Sequence, residues 1–189
     1  MSSFTRRTAA VLVLACAAGA AWSADAPKVK FNTTAGDIVI EVYPDKAPKT
    51  VENFLQYVRE HHYDGTIFHR VINNFMVQGG GMDKNMAEKK TRAPVPHEGL
   101  QSGLKNELGT VAMARTMDPN SATAQFYINV ANNAFLDPKP GNPGYTVFGK
   151  VVSGMDVVDA IKGVQTGRAG MYSDVPLAPV VINSAEIVK

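Results

Sequence analysis

One arginine stands among large apolar side chains and close to a glutamine. Arg70 lies within residues 68–72 (FHRVI), and residues 75–78 (FMVQ) follow after Asn73 and Asn74. Both segments are typical of short strands joined by a turn. A guanidinium presents several donors in one fixed plane. Beside an apolar surface, such a group suits an apolar substrate that carries an amide to be polarised.

An arginine that alternates with apolar residues on a strand usually faces solvent, and this interpretation of Arg70 stays open. Three later segments favour a site, because their amide and aromatic groups could line a shallow peptide groove: residues 113–115 (MAR), 125–127 (QFY) and 135–137 (FLD). Aromatic residues on strands commonly belong to the core, which is the expectation for Phe126 and Phe148.

Other chemistries find little support in the residue pattern. The four histidines are His61, His62, His69 and His97. They form no H-E-x-x-H motif, so we expect surface histidines and one packed His69. The glycines at 79–81 lack the G-K-[ST] continuation of a phosphate loop, which favours a turn or a bulge. No G-x-S-x-G motif is present. We expect neither a metal nor a cofactor.

Residues 1–23 are predicted to be a secretory signal peptide. Arg6 and Arg7 precede an apolar run at 9–21 that is too short to span a bilayer and ends in small residues. Cleavage is expected after Ser23, with cleavage after Ala24 as a close alternative. A lipid anchor on Cys16, the only cysteine, is the competing interpretation.

The predicted mature domain, residues 24–189, has the composition of one soluble globular unit. The whole chain of 189 residues is 45% hydrophobic and 19% charged. Without Arg6 and Arg7, the 19 basic residues fall to 17 against 17 acidic ones. A neutral balance predicts no binding to nucleic acid or to an anionic membrane. A domain without cysteine has no disulfide.

Hydrophobic periodicity predicts many short strands and two helices. The strands are expected at 29–33, 38–43, 66–72, 75–78, 110–114, 125–130, 145–152 and 180–188, with long loops at 79–109 and 137–144. One helix is expected from Lys49 to His61 and His62, with an apolar face formed by Val51, Phe54, Leu55 and Val58. A second helix is expected after Gly154. This pattern favours a mostly antiparallel sheet closed into a barrel, with helices covering its ends.

Five segments together resemble the cyclophilin-type peptidyl-prolyl isomerases, in the same order along the chain: residues 68–72, 75–81, 113–115, 124–128 (AQFYI) and 147–151 (VFGKV). The resemblance extends from about Val29 to Lys189. The exported start, residues 113–116 (MART) and residues 135–137 are similar to the periplasmic cyclophilins of Gram-negative bacteria.

The resemblance implies a mostly β fold, an eight-stranded antiparallel closed barrel capped by two α-helices, with an outer groove for X–Pro segments. His69 would pack beside the catalytic residue. The implied site comprises Arg70 as the catalytic guanidinium, Phe75, Met76, Tyr127 and Leu136 as the proline pocket, Gln78, Ala114, Arg115 and Gln125 as contacts to the peptide backbone, and Phe135 and Tyr145 on the rim.

Four positions depart from the commonest family pattern. Tyr127 stands in place of a phenylalanine, so its hydroxyl must point outward or find a partner. Arg115 stands in place of an asparagine, as in the exported bacterial group. Phe135 and Tyr145 stand in place of a tryptophan and a histidine, which predicts weak binding of cyclosporin.

The implied activity is isomerisation of X–Pro bonds in unfolded or partly folded exported polypeptides, by a monomer located in the periplasm. We expect Arg70 to donate to the prolyl nitrogen and to favour the twisted amide over the planar one. A competing hypothesis is a binding module that holds exported chains without useful turnover. A hydrolase that uses the histidines has no supporting constellation.

Overall fold

The computed structural model describes residues 26–188, so the predicted signal peptide, Cys16 and both cleavage positions lie outside the described residues. The strands are β1 (Lys28–Thr33), β2 (Gly36–Val42), β3 (Thr66–Ile72), β4 (Met76–Asp83), β5 (Thr110–Met113), β6 (Phe126–Asn129), β7 (Val147–Ser153), β8 (Thr166–Ala169), β9 (Tyr172–Pro176) and β10 (Ile182–Val188). The helices are α1 (Pro48–Arg59), α2 (Gly99–Ser102) and α3 (Met155–Lys162), with a 3-10 turn at Ala134–Leu136.

Eight of these strands form one antiparallel sheet in the order β10-β1-β2-β7-β5-β6-β4-β3. Near one end of the sheet, Lys28 of β1 lies opposite Val188 of β10. The two edge strands meet around a bridge between Ile67 and Val181. Beside this bridge the amide of Phe68 donates to the carbonyl of Val180 at 3.0 Å. The expected mostly β, eight-stranded antiparallel fold is confirmed, and its edges meet through this short seam.

The interior of the curved sheet is filled by aromatic rings from several elements. Phe54 of α1 lies 4.9 Å from Phe148 of β7, and Phe31 of β1 stacks on Phe126 of β6 at 5.3 Å, measured between ring centroids. Phe126 and Phe148 are fully buried, as expected. The apolar face predicted for the first helix is buried in α1, because its spacing matches the helical period. The second predicted helix is confirmed as α3.

Four features differ from the sequence-based expectations. Strand β4 continues through the glycines to Asp83, and α2 lies within the segment predicted to be loop. The hairpin of β8 and β9 was not predicted, because its residues show no clear alternation. His62, expected on the surface, is buried. Its ring lies 4.6 Å from that of Tyr57, and its Nε2 lies 3.1 Å from the carbonyl oxygen of Gly80.

No helix among residues 26–188 is long and apolar enough to cross a membrane.

The start of α1 is capped by a residue that is distant in sequence. The helix has Pro48 in its first turn and no side-chain cap of its own at Ala47. Instead, the buried carboxylate of Glu98 accepts from the amide of Lys49 at 3.1 Å and from the amide and hydroxyl of Thr50 at 2.8 and 2.7 Å. A carboxylate at a helix N-terminus satisfies free amides and complements the helix dipole.

We expect Glu98→Gln to lower the free energy of unfolding by about 1–2 kcal/mol, because the amide turns a donor toward backbone donors. Chemical denaturation monitored by circular dichroism measures this change. Glu107→Gln is the matched control, since Glu107 is exposed and no side-chain hydrogen bond of its own is present among the described residues. Equal stability of the two variants would show that the cap contributes little.

Candidate active site

An irregularity in the pairing of β3 with β4 sets the direction of the arginine. Phe68 lies opposite Gly79, and Arg70 lies opposite Gln78, so two residues of β3 advance against one of β4. Regular alternation would place Phe68 and Arg70 on the same face. Phe68 is instead buried in the interior core, whereas Arg70 lines an outer cavity. The bulge, with His69 as its extra residue, therefore directs Arg70 outward.

Strand register then places the polar and apolar groups of the site side by side. Gln78 lies opposite Arg70, Tyr127 lies opposite Gln78, and Ala112 lies opposite Tyr127. Residues that are opposite one another in an antiparallel sheet share a face, and neighbouring strands are about 4.8 Å apart. The row therefore crosses four strands on the outside of the sheet, in the order β3, β4, β6, β5.

These residues line a cavity of about 430 Å³. Ten of the eleven predicted site residues border it: Arg70, Phe75, Met76, Gln78, Ala114, Arg115, Gln125, Tyr127, Leu136 and Tyr145. The eleventh, Phe135, does not line the cavity. Its side chain is 66% exposed, and its ring stacks on that of Phe75 with centroids 5.6 Å apart.

The apolar end of the cavity is a small cluster on the outer face of the sheet. Met76 and Tyr127 are buried there, with Phe75 and Leu136 packed against them. The extra hydroxyl of Tyr127 points inward and donates to Oδ1 of Asn106 at 2.8 Å. Burial raises the pKa of Tyr127 well above its usual range, so the hydroxyl stays protonated. The tyrosine is accommodated because its hydroxyl has a partner.

Asn106 belongs to a network of polar groups beneath this apolar cluster. Its amide nitrogens, of the backbone and the side chain, donate to Oδ1 of Asp137 at 2.7 and 3.2 Å. Nδ2 of Asn133 donates to Oδ1 of Asn129 at 2.7 Å and to the carbonyl oxygen of Phe75 at 2.9 Å. Satisfied buried networks favour a single arrangement of their members. The bonds connect three segments that surround the cluster.

The two arginines of the cavity differ in their contacts. Arg115 donates through Nε and Nη2 to the carbonyl oxygen of Gly144 at 3.0 and 2.8 Å, and its guanidinium lies 4.5 Å from the ring centroid of Tyr145. It also donates to the carbonyl oxygen of Thr116. Within residues 26–188, no ion pair or side-chain hydrogen bond engages Arg70. Arg70 thus keeps its donors available to a ligand, whereas most of those of Arg115 are engaged.

His69 lies beside Arg70 and is almost completely buried. Burial lowers the pKa of His69 to about 4, because the imidazolium would lose its hydration. The ring is therefore neutral near pH 7. No second positive charge stands next to the guanidinium on that strand.

The amide of Gln78 is oriented by a neighbour. Nε2 of Gln78 donates to Oε1 of Gln125 at 2.9 Å. The Gln125 side chain lies against the backbone of Gly81, where an added Cβ atom would come within 2.4 Å of it. Only glycine leaves this room, which explains one residue of the glycine run. The bond fixes the orientation of the Gln78 amide, and Gln78 lines the cavity.

Four further residues line the cavity and were not identified from the sequence: Met82, Met171, Tyr172 and Ser173. Three of them belong to the β8–β9 hairpin and its turn. The only sequence signal for this hairpin is Gly170, whose φ of 60° suits a tight turn. In the described part of the chain, no three His, Cys, Asp or Glu side chains form a group that could hold a metal ion.

Comparison with known proteins gives a consistent result. The family model described as "Cyclophilin type peptidyl-prolyl cis-trans isomerase/CLD" matches residues 28–187. "Peptidyl-prolyl cis-trans isomerase cyp18" of Streptomyces antibioticus is 60% identical over 162 residues, covering 84% of this chain and 97% of the relative. "Peptidyl-prolyl cis-trans isomerase B" of Escherichia coli (strain K12) is 56% identical, covering 84% of this chain and 98% of the relative.

The fold is also shared with a solved structure. A cyclophilin type isomerase of Cryptosporidium parvum superposes with a TM-score of 0.72 at 24% identity, covering 87% of this chain and 98% of that one. The match over almost the whole described region, together with relatives above half identity, shows the family. The chain belongs to the cyclophilin-type peptidyl-prolyl cis-trans isomerases and is an enzyme of that class.

Proposed function

We propose that this isomerase acts on X–Pro bonds of exported polypeptides and that Arg70 is its catalytic group. The observation that carries the catalytic assignment is the contrast between the two cavity arginines. The Arg70 guanidinium has no protein partner among the described residues, while Arg115 is bonded to Gly144 and stacked on Tyr145. A group that must bind a transient species needs free donors.

The reaction requires rotation about one bond. Amide resonance produces a barrier of about 20 kcal/mol, and an uncatalysed X–Pro bond isomerises over tens of seconds. In the twisted amide, resonance is lost and the prolyl nitrogen regains a lone pair that can accept a hydrogen bond. In the planar amide that lone pair is delocalised. A donor placed at the nitrogen therefore binds the twisted form more strongly, which is the condition for catalysis.

Different residues of the cavity bind the proline ring and contact the amide. The apolar cluster of Phe75, Met76, Tyr127 and Leu136 suits the proline ring, which is apolar and lacks an amide hydrogen. Gln78 adjoins Arg70 across the ladder and offers its amide oxygen to a backbone donor of the substrate. With the ring bound at one end, rotation would move the preceding residue past the guanidinium. No charge forms, so no cofactor is required.

A related structure supports the substrate class. The Cryptosporidium parvum isomerase, 25% identical with a TM-score of 0.71, was solved in the presence of the dipeptide Ala-Pro, and the match covers 86% of this chain and 99% of that one. We propose a similar X–Pro ligand for the cavity of this chain.

The proposal of exported substrates is supported by the leader pattern. Arg6 and Arg7 followed by the apolar run at 9–21 have the order of charges and hydrophobicity of a signal peptide. The family match begins at residue 28, so this segment precedes the region shared with other isomerases. A periplasmic isomerase would encounter polypeptides that are still unfolded after export.

Arg70→Ala should reduce kcat/KM for a tetrapeptide with an Ala-Pro bond by about 10²- to 10³-fold, because a donor to the transition state is lost. Arg70→Lys should recover little, since one ammonium cannot reproduce the planar fork. Rates from exchange NMR measure the effect without a coupling protease. Arg59→Ala is the matched control, because Arg59 is exposed at the end of α1 and does not line the cavity.

The outcomes distinguish an isomerase from a module that only binds polypeptides. A folded Arg70→Ala variant that retains full turnover would remove the catalytic assignment. A variant that loses turnover but still binds the peptide, measured by titration calorimetry, would support it. If the unaltered protein binds the peptide with no measurable turnover, the proposal of an isomerase acting on such peptides fails and a binding module remains.

When the full chain is produced in a Gram-negative bacterium, we expect a shortened product in the periplasmic fraction that begins at Ala24 or Asp25. Mass spectrometry of the intact protein identifies its first residue. Leu12→Arg with Leu14→Arg should leave the full-length chain in the cytoplasm, because charges interrupt the apolar run. A full-length cytoplasmic product of the unaltered chain contradicts export, and a lipid-modified Cys16 would support the anchored alternative instead.

A further inference from the structure

The β8–β9 hairpin forms a separate two-stranded sheet, and residues of its turn line the cavity. Its two strands pair only with each other, and β9 packs beside β3. The turn between Ala169 and Tyr172 consists of Gly170 and Met171. Met171 is 84% exposed and Tyr172 is 37% exposed, yet both line the same cavity as Arg70. Large apolar side chains are thus displayed at the border of the site.

The base of the hairpin is well anchored, so its turn has a defined position. Val175 is buried and lies opposite Gly167. The amide of Leu177 donates to the carbonyl oxygen of Gln165 at 2.9 Å. Its side chain lies over Gly167, where a Cβ atom would approach it within 2.8 Å. The exposed apolar residues at the turn are therefore held by a structured support.

The cavity extends past the arginine in the direction of this hairpin. Along β4, Met76 belongs to the apolar cluster, Gln78 faces Arg70, and Met82 borders the same cavity further on. Met76 and Met82 are six positions apart on β4, whose backbone bends between them at Gly80, with a φ of 84°, and whose pairing with β3 is irregular there. A dipeptide bound at the proline end would leave the Met82 end empty.

From this continuity we infer that Met171 and Tyr172 of the hairpin turn form, together with Met82 of β4, a second binding surface for the substrate chain, which selects apolar or aromatic residues flanking the X–Pro bond. The inference rests on the proposed use of the cavity for X–Pro segments. The occupant is the same polypeptide, whose chain continues from the apolar cluster past Arg70.

The side chains of this surface suit a broad class of substrate residues. Methionine is unbranched and polarisable, so the exposed Met171 adapts to apolar side chains of different shape, while Met82, which is 4% exposed, lines the cavity wall. Tyr172 adds a flat ring that can pack on aromatic or aliphatic groups and whose hydroxyl tolerates water. Such a surface prefers a chemical class to a single residue. Unfolded polypeptides expose that class of side chain.

The test uses eight-residue peptides that share an Ala-Pro bond and carry either Leu or Ser three positions before or after the proline. For the unaltered protein, kcat/KM should be roughly threefold to tenfold higher for Leu than for Ser at one of these positions, because an apolar side chain leaves water. Met171→Ser combined with Tyr172→Ser should bring this ratio close to one, mainly through KM. Exchange NMR provides the rates.

Met117→Ser is the matched control, since Met117 is 96% exposed and does not line the cavity. It should leave the ratio unchanged. Met171→Ser alone should lower the ratio partly. Because Met171 is more exposed than Tyr172, this single variant still tests the surface if the double variant has a folding defect.

The result also separates this inference from the catalytic one. Arg70→Ala should lower kcat/KM for both peptides and preserve their ratio. A ratio near one for the unaltered protein, or a ratio that survives in the folded double variant, overturns the hairpin surface without affecting the role of Arg70. Loss of the ratio in the Met117→Ser variant would also overturn it.

Discussion

The bulge in β3 is the constraint on which the site depends. An uninterrupted alternation would turn Arg70 toward the same interior that contains Phe68. A guanidinium there would have to be buried among aromatic rings at a large cost in hydration. One extra residue changes the parity of the strand, so that Val71 enters the core and Arg70 lines the cavity. The positions of Tyr127 and Ala112 on the neighbouring strands then follow from their register with Gln78.

Electrostatics then distinguishes residues of similar type. Two arginines border the cavity, but the one on β3 retains its donors while Arg115 holds the segment at Gly144 and Tyr145 in place. His69, adjacent to the free arginine, is kept neutral by burial. Tyr127 is kept protonated and bonded to Asn106. The cavity therefore contains one guanidinium with free donors beside largely uncharged side chains. On the proposed role of Arg70, this arrangement would favour a change in amide geometry.

Much of the fold and of the site could be predicted from the sequence, because local periodicity and the order of the motifs indicated them. The alternation of apolar residues located most strands, the helical period located α1 and α3, and the ordered motifs identified the residues around Arg70. The cap on α1 could not be predicted, because Glu98 and Thr50 are 48 residues apart and no local pattern connects them. The bonds of Arg115 to Gly144 are equally remote in sequence. The β8–β9 hairpin could not be predicted, because the sequence of its exposed apolar turn resembles that of an ordinary loop.

The pairing of β1 with β10 has a consequence for the chain as a whole. Since Lys28 and Val188 are cross-strand neighbours, a short connector could join the two ends of the described domain without disturbing the sheet. New ends could then be opened at the exposed turn of Thr34 and Ala35. The architecture depends on which strands are adjacent, and far less on the order of the strands along the polypeptide. A circularly permuted chain should accordingly fold to the same shape.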